Sequence, residues 1–253
     1  MFKVFYLALP LVAAVCLSIA VDVVQADPIQ LGATHNEVLP PLPAQYQAGA
    51  EVDETAPAQP HLEWFPIPAW MAGTWQKQGD MEDSAVNLQT GQRLGSPVFI
   101  RNVVSLSFGD QCDNRGTVWH AEVLPFRSDG YNGKMEDRRF VTQMQCVTNT
   151  AAQVVLQVRS FVVSIDLKKQ KVKNSKQQEE IITFQPLDGQ QIQTMSSTRD
   201  FSSTGQALMQ SQSHTTRTRV AAFLPVPTLN GLDLRQSLAD YLVQHNWGSL
   251  VPQ

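Results

Sequence analysis

The sequence predicts an all-β protein in which an antiparallel meander of strands closes into a barrel and is followed by one α-helix. Two observations support this fold class. Runs rich in β-branched and aromatic residues alternate with turn clusters of Gly, Asn, Asp and Ser across residues 61–226. About eight such runs follow one another, and closing that many strands into a barrel removes exposed sheet edges.

The first 26 residues have the pattern of a secretory signal peptide. Lys3 precedes an apolar run, and the small residues Val24 and Ala26 flank Gln25 as a signal peptidase requires. The sequence therefore predicts an exported protein, periplasmic or extracellular, whose mature chain begins near Asp27. The alternative is an uncleaved anchor; after residue 26 the sequence predicts no transmembrane segment.

Residues 27–60 are predicted to form a proline-rich flexible arm. No hydrophobic period of 2 or 3.6 residues persists there, so the segment has little apolar surface with which to offset its ordering entropy. An arm that packs along the domain is the alternative, and Leu39, Leu42 and Tyr46 are the residues that would permit it.

The strands of the domain at 61–226 are predicted from apolar runs, alternating or continuous, that lie between turns. Residues 153–165 are the strongest of them, because β-branched residues dominate that run. The runs that precede and follow it are residues 99–108, 117–126, 138–147, 180–185, 190–201 and 206–224.

The segment 227–253 is predicted to contain the helix and a short tail. Asp233 is placed to cap the helix, with Gln236 three residues later. Its apolar face is predicted to pack on the outside of the barrel wall and consists of Leu234, Leu238, Tyr241, Leu242 and His245.

Composition and cysteine usage narrow the functional classes. The formal net charge of -4 disfavours non-specific nucleic-acid binding. Removal of the signal would leave Cys112 and Cys146, and an oxidising compartment favours a disulfide between them. Such a bond would contribute roughly 3–4 kcal/mol. Two free buried thiols are the alternative.

The segment Trp70-Met71-Ala72-Gly73-Thr74-Trp75 resembles the Gly-x-Trp that opens the first strand of lipocalins and related calycin barrels. The resemblance implies that Gly73 allows close backbone packing and that the Trp75 indole plugs the closed end. It also implies an arginine from the last strand stacked across this indole, for which Arg217 and Arg219 are the candidates. Trp64, at the end of the arm, is expected to be more exposed than Trp75.

His120 and His214 are the candidate ligand-binding residues, since both fall on predicted strands where they could face a barrel lumen. No His, Cys or carboxylate spacing predicts a metal site, and no motif identifies a catalytic group or a cofactor.

The last two strands are rich in Ser, Thr and Gln on both faces, which favours a hydrated cavity over a fully apolar core. An elongated hairpin that reaches beyond the core explains the same composition. The sequence therefore predicts an exported binding or carrier protein that holds a small hydrophobic or amphipathic ligand. The alternatives are a haem-binding or enzymatic barrel that uses His120 or His214, and an envelope-associated structural or interaction protein.

Overall fold

The computed structural model describes residues 33–52, 58–95 and 97–252. The predicted signal peptide and its cleavage site lie outside these residues. Within the described part the chain forms fourteen strands, one α-helix and two short 3₁₀ turns, Ala44–Tyr46 and Gly248–Leu250. The strands are β1 (His61–Ile67), β2 (Gly73–Asn87), β3 (Arg93–Leu94), β4 (Val98–Phe108), β5 (Gln111–Cys112), β6 (Val118–Leu124), β7 (Phe126–Asn132), β8 (Met135–Asn149), β9 (Val154–Asp166), β10 (Lys171–Pro186), β11 (Gln191–Ser202), β12 (Ala207–Ala222), β13 (Thr228–Leu229) and β14 (Leu232–Asp233); the helix α1 is Leu234–Gln244.

The main sheet has nine strands in the order β3-β2-β12-β11-β10-β9-β8-β7, with β4 also paired to β2. Every one of its described pairings is antiparallel. This confirms the predicted antiparallel β architecture with one C-terminal helix. The first long strand, β2, pairs with the last, β12, but no described pairing joins β4 or β3 to β7. The sheet of the described residues is therefore open, and the predicted barrel closure is not seen in its hydrogen bonds.

A second sheet, β1-β6-β5, completes the main hydrophobic core. Phe65 and Val118 from this sheet pack in one cluster with Trp75, Leu156 and Phe184 from the main sheet. Burial of large apolar side chains from both sheets is the dominant stabilising contribution in such an arrangement.

The helix α1 covers the outer side of the second sheet. Asp233 accepts a hydrogen bond from the Gln236 backbone N–H at 3.0 Å, as the capping pattern predicts. The buried face of the helix packs against Trp64, Trp119 and Ala121 and consists of Leu234, Leu238 and Leu242. Trp64 is therefore only 5% exposed, against 0% for Trp75. Trp64 is the more exposed of the two indoles, as expected, but the difference in exposure is small.

The described part of the arm packs along the main sheet. The backbone N–H groups of Leu39 and Leu42 donate to the carbonyl oxygens of Gly205 and Ser203 at 3.0 and 2.8 Å. Leu39, Leu42 and Tyr46 are all buried. This is the packed alternative that the sequence left open, and it applies to residues 33–52.

Tyr46 fills the aromatic cluster under the arm. Its ring centroid lies 4.8 Å from Phe161 and 5.9 Å from Phe140, and these two rings stack on each other at 4.9 Å. Val163, Ile165 and Val172 complete this second apolar cluster. The arm therefore shields apolar side chains of the main sheet from water.

Cys112 and Cys146 are free thiols in the structure, so the predicted disulfide is not formed there. Cys112 lies on β5 of the second sheet and Cys146 on β8 of the main sheet, so their strands do not pair in the described part of the chain. Burial raises the pKa of both thiols, which lowers their reactivity at neutral pH.

We predict that Tyr46→Ala lowers the free energy of unfolding by about 3 kcal/mol, because it removes a buried ring and leaves a cavity. The matched control is Tyr131→Ala, since the Tyr131 side chain is 71% exposed, and it should cost less than about 0.5 kcal/mol. Denaturant melts of the full chain measure both values. Equal small losses for the two variants would mean that the arm does not pack on the sheet.

Candidate functional site

The first long strand enters the main sheet at a point where only glycine fits. Gly73 has φ of +126°, and a Cβ there would lie 2.7 Å from the Ala221 carbonyl oxygen and 2.7 Å from Nη1 of Arg219. A side chain at this position would push β2 away from β12, because one of these neighbours is backbone.

Arg219 holds the indole of Trp75 at one end of the sheet. Its guanidinium carbon lies 4.2 Å from the Trp75 ring centroid, a favourable cation–π geometry. The same guanidinium donates to the carbonyl oxygens of Trp70, at 2.8 Å, and of Ala72. Trp75 itself is fully buried and donates from Nε1 to the Met71 carbonyl oxygen at 2.7 Å. Of the two candidate arginines, Arg219 therefore occupies the stacking position.

Arg217 lies on the same face of β12 but has a different environment. It is 5% exposed, and its Nε donates to the Thr194 hydroxyl at 3.2 Å. Its Nη1 is buried and has no hydrogen-bond partner among the described residues. Burial lowers the pKa of Arg217, and the negative charges of Asp80 and Glu180 oppose that shift.

The sheet face that carries Arg217 becomes polar beyond the apolar core. Thr194 pairs with Thr215 across β11 and β12, and both side chains are buried. The acidic side chains nearby each have a cation of their own: Lys77 contacts Asp80, Arg139 lies 3.5 Å from Glu180, and Lys176 lies 2.9 Å from Asp200. The two carboxylates whose charge acts on Arg217 are therefore already paired elsewhere.

The pairing of β2 with β12 is interrupted beside Arg217. Met81 pairs with His214, but the next registered pair is Gln76 with Thr218. Residues 215–217 therefore face residues 77–80 without a regular ladder of backbone hydrogen bonds. Across this break, the Thr215 hydroxyl donates to the Gly79 carbonyl oxygen. A glycine inside a strand often marks such an irregularity.

An open groove of about 540 Å³ runs over the break. We call it the wall groove; its lining residues are Gln76, Gln78, Gly79, Met81, Phe99, His214, Thr215, Thr216, Thr218 and Val220. The apolar part of the lining comes from Met81, Phe99 and Val220, and the remainder is polar. This mixture of apolar and polar groups, and this volume, suit a small amphipathic molecule.

His214 lies at the wall groove, whereas His120 does not. The His214 side chain is 46% exposed, and its Nδ1 lies 2.9 Å from Oδ2 of Asp83. Of the two histidines singled out from the sequence, the structure thus brings only His214 to a groove.

His120 is held in a buried ion cluster. Its Nδ1 lies 2.6 Å from Asp110 and its Nε2 lies 3.3 Å from Glu122, while Phe65 and Phe108 meet the ring edge-on. Burial lowers the pKa of His120, but the two carboxylates outweigh it and raise the pKa to about 9. Both ring nitrogens are thus engaged by carboxylates of the protein, and the Gly109 backbone N–H also lies 3.3 Å from Nδ1.

A third histidine, His35, fastens the arm to the main sheet. Its Nδ1 lies 3.2 Å from Glu179 and its Nε2 lies 2.9 Å from the Ser197 hydroxyl. Glu179 is fully buried and also accepts from the Asn36 backbone N–H at 2.8 Å. The order Ser–His–Glu is that of a hydrolase triad, but Ser197 is 3% exposed beneath the arm, so the arrangement serves to fasten the arm. Sequence reasoning missed this cluster, because its members are far apart along the chain.

Two absences hold for residues 33–52, 58–95 and 97–252. No three His, Cys, Asp or Glu side chains in this part of the chain converge as metal ligands do. None of its helices combines the length and the apolar character that crossing a bilayer requires.

Comparison of the chain with protein-family models, with curated proteins and with solved structures finds no match.

We predict that the His120 cluster stabilises the fold below pH 6.5 and that this contribution disappears as the pH rises through 9. The folded-state pKa is raised from 6.5 to about 9, so the native state retains a proton that the unfolded chain releases. The pKa difference corresponds to roughly 3 kcal/mol. Urea melts of the wild type and of His120→Gln at pH 6 and pH 10 should show their difference in stability shrinking by about this amount. The control is His61→Gln, because His61 is about half exposed. Parallel pH profiles for the wild type and His120→Gln would contradict this assignment.

Proposed function

We propose that this chain is a binding or carrier protein that holds a small amphipathic molecule in the wall groove. The observation that carries the proposal is the coincidence of three features at one place: the break between β2 and β12, the groove of about 540 Å³ over it, and the mixed lining. Ligand sites of small molecules are concave, of this size, and largely apolar with a few polar groups that fix orientation.

The lining suggests how the molecule lies. Its apolar part contacts Phe99, Met81 and Val220, which would otherwise expose apolar surface to water. The Phe99 side chain is 56% exposed and Val220 is 54% exposed, so both gain from being covered. The polar part lies at the break, where Thr215 and the Gly79 backbone supply hydrogen-bonding groups.

We further propose that the main sheet is an incompletely closed, calycin-like barrel and that the protein is exported. The pairing of the first long strand with the last, and the stack of Arg219 on Trp75 at one end, support the barrel proposal. Export is supported by the pattern of residues 1–26. In this arrangement the wall groove lies on the outer side of the barrel wall.

We predict that the neutral fluorophore N-phenyl-1-naphthylamine binds the full chain with one site, detected by its fluorescence increase. Thr216→Trp places a large ring in the wall groove and should weaken binding by about tenfold, equivalent to about 1.4 kcal/mol. Thr228→Trp, at an exposed position on β13, is the matched control and should leave the affinity unchanged. Absence of binding, or equal loss in both variants, would reject the proposed site.

A further inference from the structure

We propose that the free edge of β1 receives an extended, positively charged segment of a partner protein as an additional β-strand. This surface is separate from the wall groove, because β1 belongs to the second sheet and the wall groove lies over the main sheet. In the order β1-β6-β5, the strand β1 pairs with β6 alone, so its other side is an edge of the described sheet.

The hydrogen bonds of β6 show which backbone groups of β1 point outwards. The Ala121 N–H donates to the Asp110 carboxylate at 2.8 Å, and the Trp119 carbonyl oxygen accepts from the Asp110 N–H at 2.7 Å. Ala121 and Trp119 therefore turn their backbone groups towards β5, and their partners in β1 are Trp64 and Pro66. In an antiparallel pair that exchanges no hydrogen bonds, both residues point away from each other. The backbone groups of Trp64 and Pro66 thus point to the free edge.

Two residues leave backbone donors and acceptors open at this edge. By the alternation of the strand, Leu62 points outwards like Trp64, and among the described residues neither backbone has a partner on that side. Pro66 has no N–H, and its carbonyl oxygen accepts from the Asn149 side chain at 2.9 Å, so the ladder of an added strand would end there. Exposed edges of this kind bind extended peptides through main-chain hydrogen bonds.

A groove of about 420 Å³ lies beside the open part of the edge, between β1 and α1. We call it the helix groove; Leu62 and Trp64 line it from β1, and Leu232 and Tyr241 add apolar surface from β14 and α1. Leu232 is 47% exposed, so a partner that covers it removes apolar surface from water. The helix groove therefore suits an added strand whose alternate side chains are apolar and point towards α1.

The charge around the edge is negative. Asp233 and Asp240 line the helix groove and are both exposed, while none of its described lining residues is a lysine or an arginine. Glu63 lies on the other face of the same edge, and its side chain is 49% exposed. Carboxylates on both faces complement lysine or arginine side chains of an incoming strand. The chain's own segment at residues 51–60 has three acidic residues and no lysine or arginine, so it lacks this complementarity.

The test uses three capped, fluorescein-labelled hexapeptides and measures their fluorescence anisotropy with the full chain at low ionic strength. A peptide of alternating lysine and valine should bind roughly tenfold more tightly than one of alternating glutamate and valine, and added salt should weaken its binding. The third peptide is the lysine form with every backbone nitrogen methylated. It keeps the side chains and charges but cannot donate to an edge strand, so its affinity should fall by roughly tenfold. Equal affinities for the lysine and glutamate peptides, or undiminished binding of the methylated peptide, would overturn the proposal.

Hydrogen exchange resolved by residue tests whether the peptide pairs with β1. With the lysine peptide bound, the amides of Leu62 and Trp64 should exchange roughly tenfold more slowly, because they gain main-chain hydrogen bonds. The Glu63 amide is the control, since it points to β6 and should change little. Unchanged exchange at both Leu62 and Trp64 would overturn the proposal. A second copy of the chain as the occupant would appear as a dimer in analytical ultracentrifugation, with these amides protected before any peptide is added, and would overturn it as well.

Substitution of Asp240 tests whether the charge preference arises in the helix groove. Asp240→Asn should weaken binding of the lysine peptide by about threefold, as expected for the loss of one exposed ion pair. The matched control is Asp166→Asn at the end of β9, where asparagine can still accept from the Lys168 N–H, and it should leave the affinity unchanged. Equal affinities of the wild type and Asp240→Asn for the lysine peptide would overturn the choice of a cationic partner.

Discussion

The close approach of β2 to β12 is the constraint on which the rest of the structure depends. Gly73 permits it, since a Cβ at this position would collide with the backbone of the last strand. The approach places Arg219 over Trp75 and lets its guanidinium bond the carbonyl oxygens of Trp70 and Ala72. Cation–π attraction, hydrogen bonding and burial of the indole therefore act together where the chain's first long strand meets its last.

The same pair of strands creates the candidate site a few residues further on. Beyond Gln76 and Thr218 the ladder is lost, and it resumes only at Met81 and His214. One end of this strand pair is thus fixed by the stack of Arg219 on Trp75, and its middle lacks a regular ladder of backbone hydrogen bonds. A site on rigid strands with a locally unpaired segment combines a defined geometry with the small movement that ligand entry requires.

The sequence predicts the elements with strong local signals. Residues 153–165 carry a β-branched pattern that needs no tertiary information, and the cap at Asp233 is a local hydrogen bond. The resemblance of residues 70–75 to lipocalins implies that an arginine stacks on Trp75. Which of Arg217 and Arg219 does so depends on the register of β12, and no local sequence pattern specifies that register. Gly79 was an available signal for the break, because a glycine inside a strand marks irregular pairing.

Other features arise from contacts between distant segments. The arm shows no period, so its packing through Tyr46 depends on Phe140 and Phe161, about a hundred residues away in the chain. His120 was expected to face a barrel lumen and bind a ligand there. Glu122 lies two residues further along the same strand, so the alternation of side chains already indicated that a carboxylate lies on the same face. The disulfide was expected from the compartment and from the even number of cysteines, which carry no information on strand pairing, and the two cysteines lie on strands of different sheets.

Amide hydrogen exchange, resolved by residue with NMR, tests the central claim that the wall of the sheet is open beside Arg217. The account predicts that the Thr216 amide, which points towards β2, exchanges much faster than the amides of Gln210 and Gln212, which point the same way in the paired part of β12, and that bound N-phenyl-1-naphthylamine slows it selectively. Uniform protection along β12 in the free protein would show that β2 and β12 form a continuous ladder, and it would contradict the site described above.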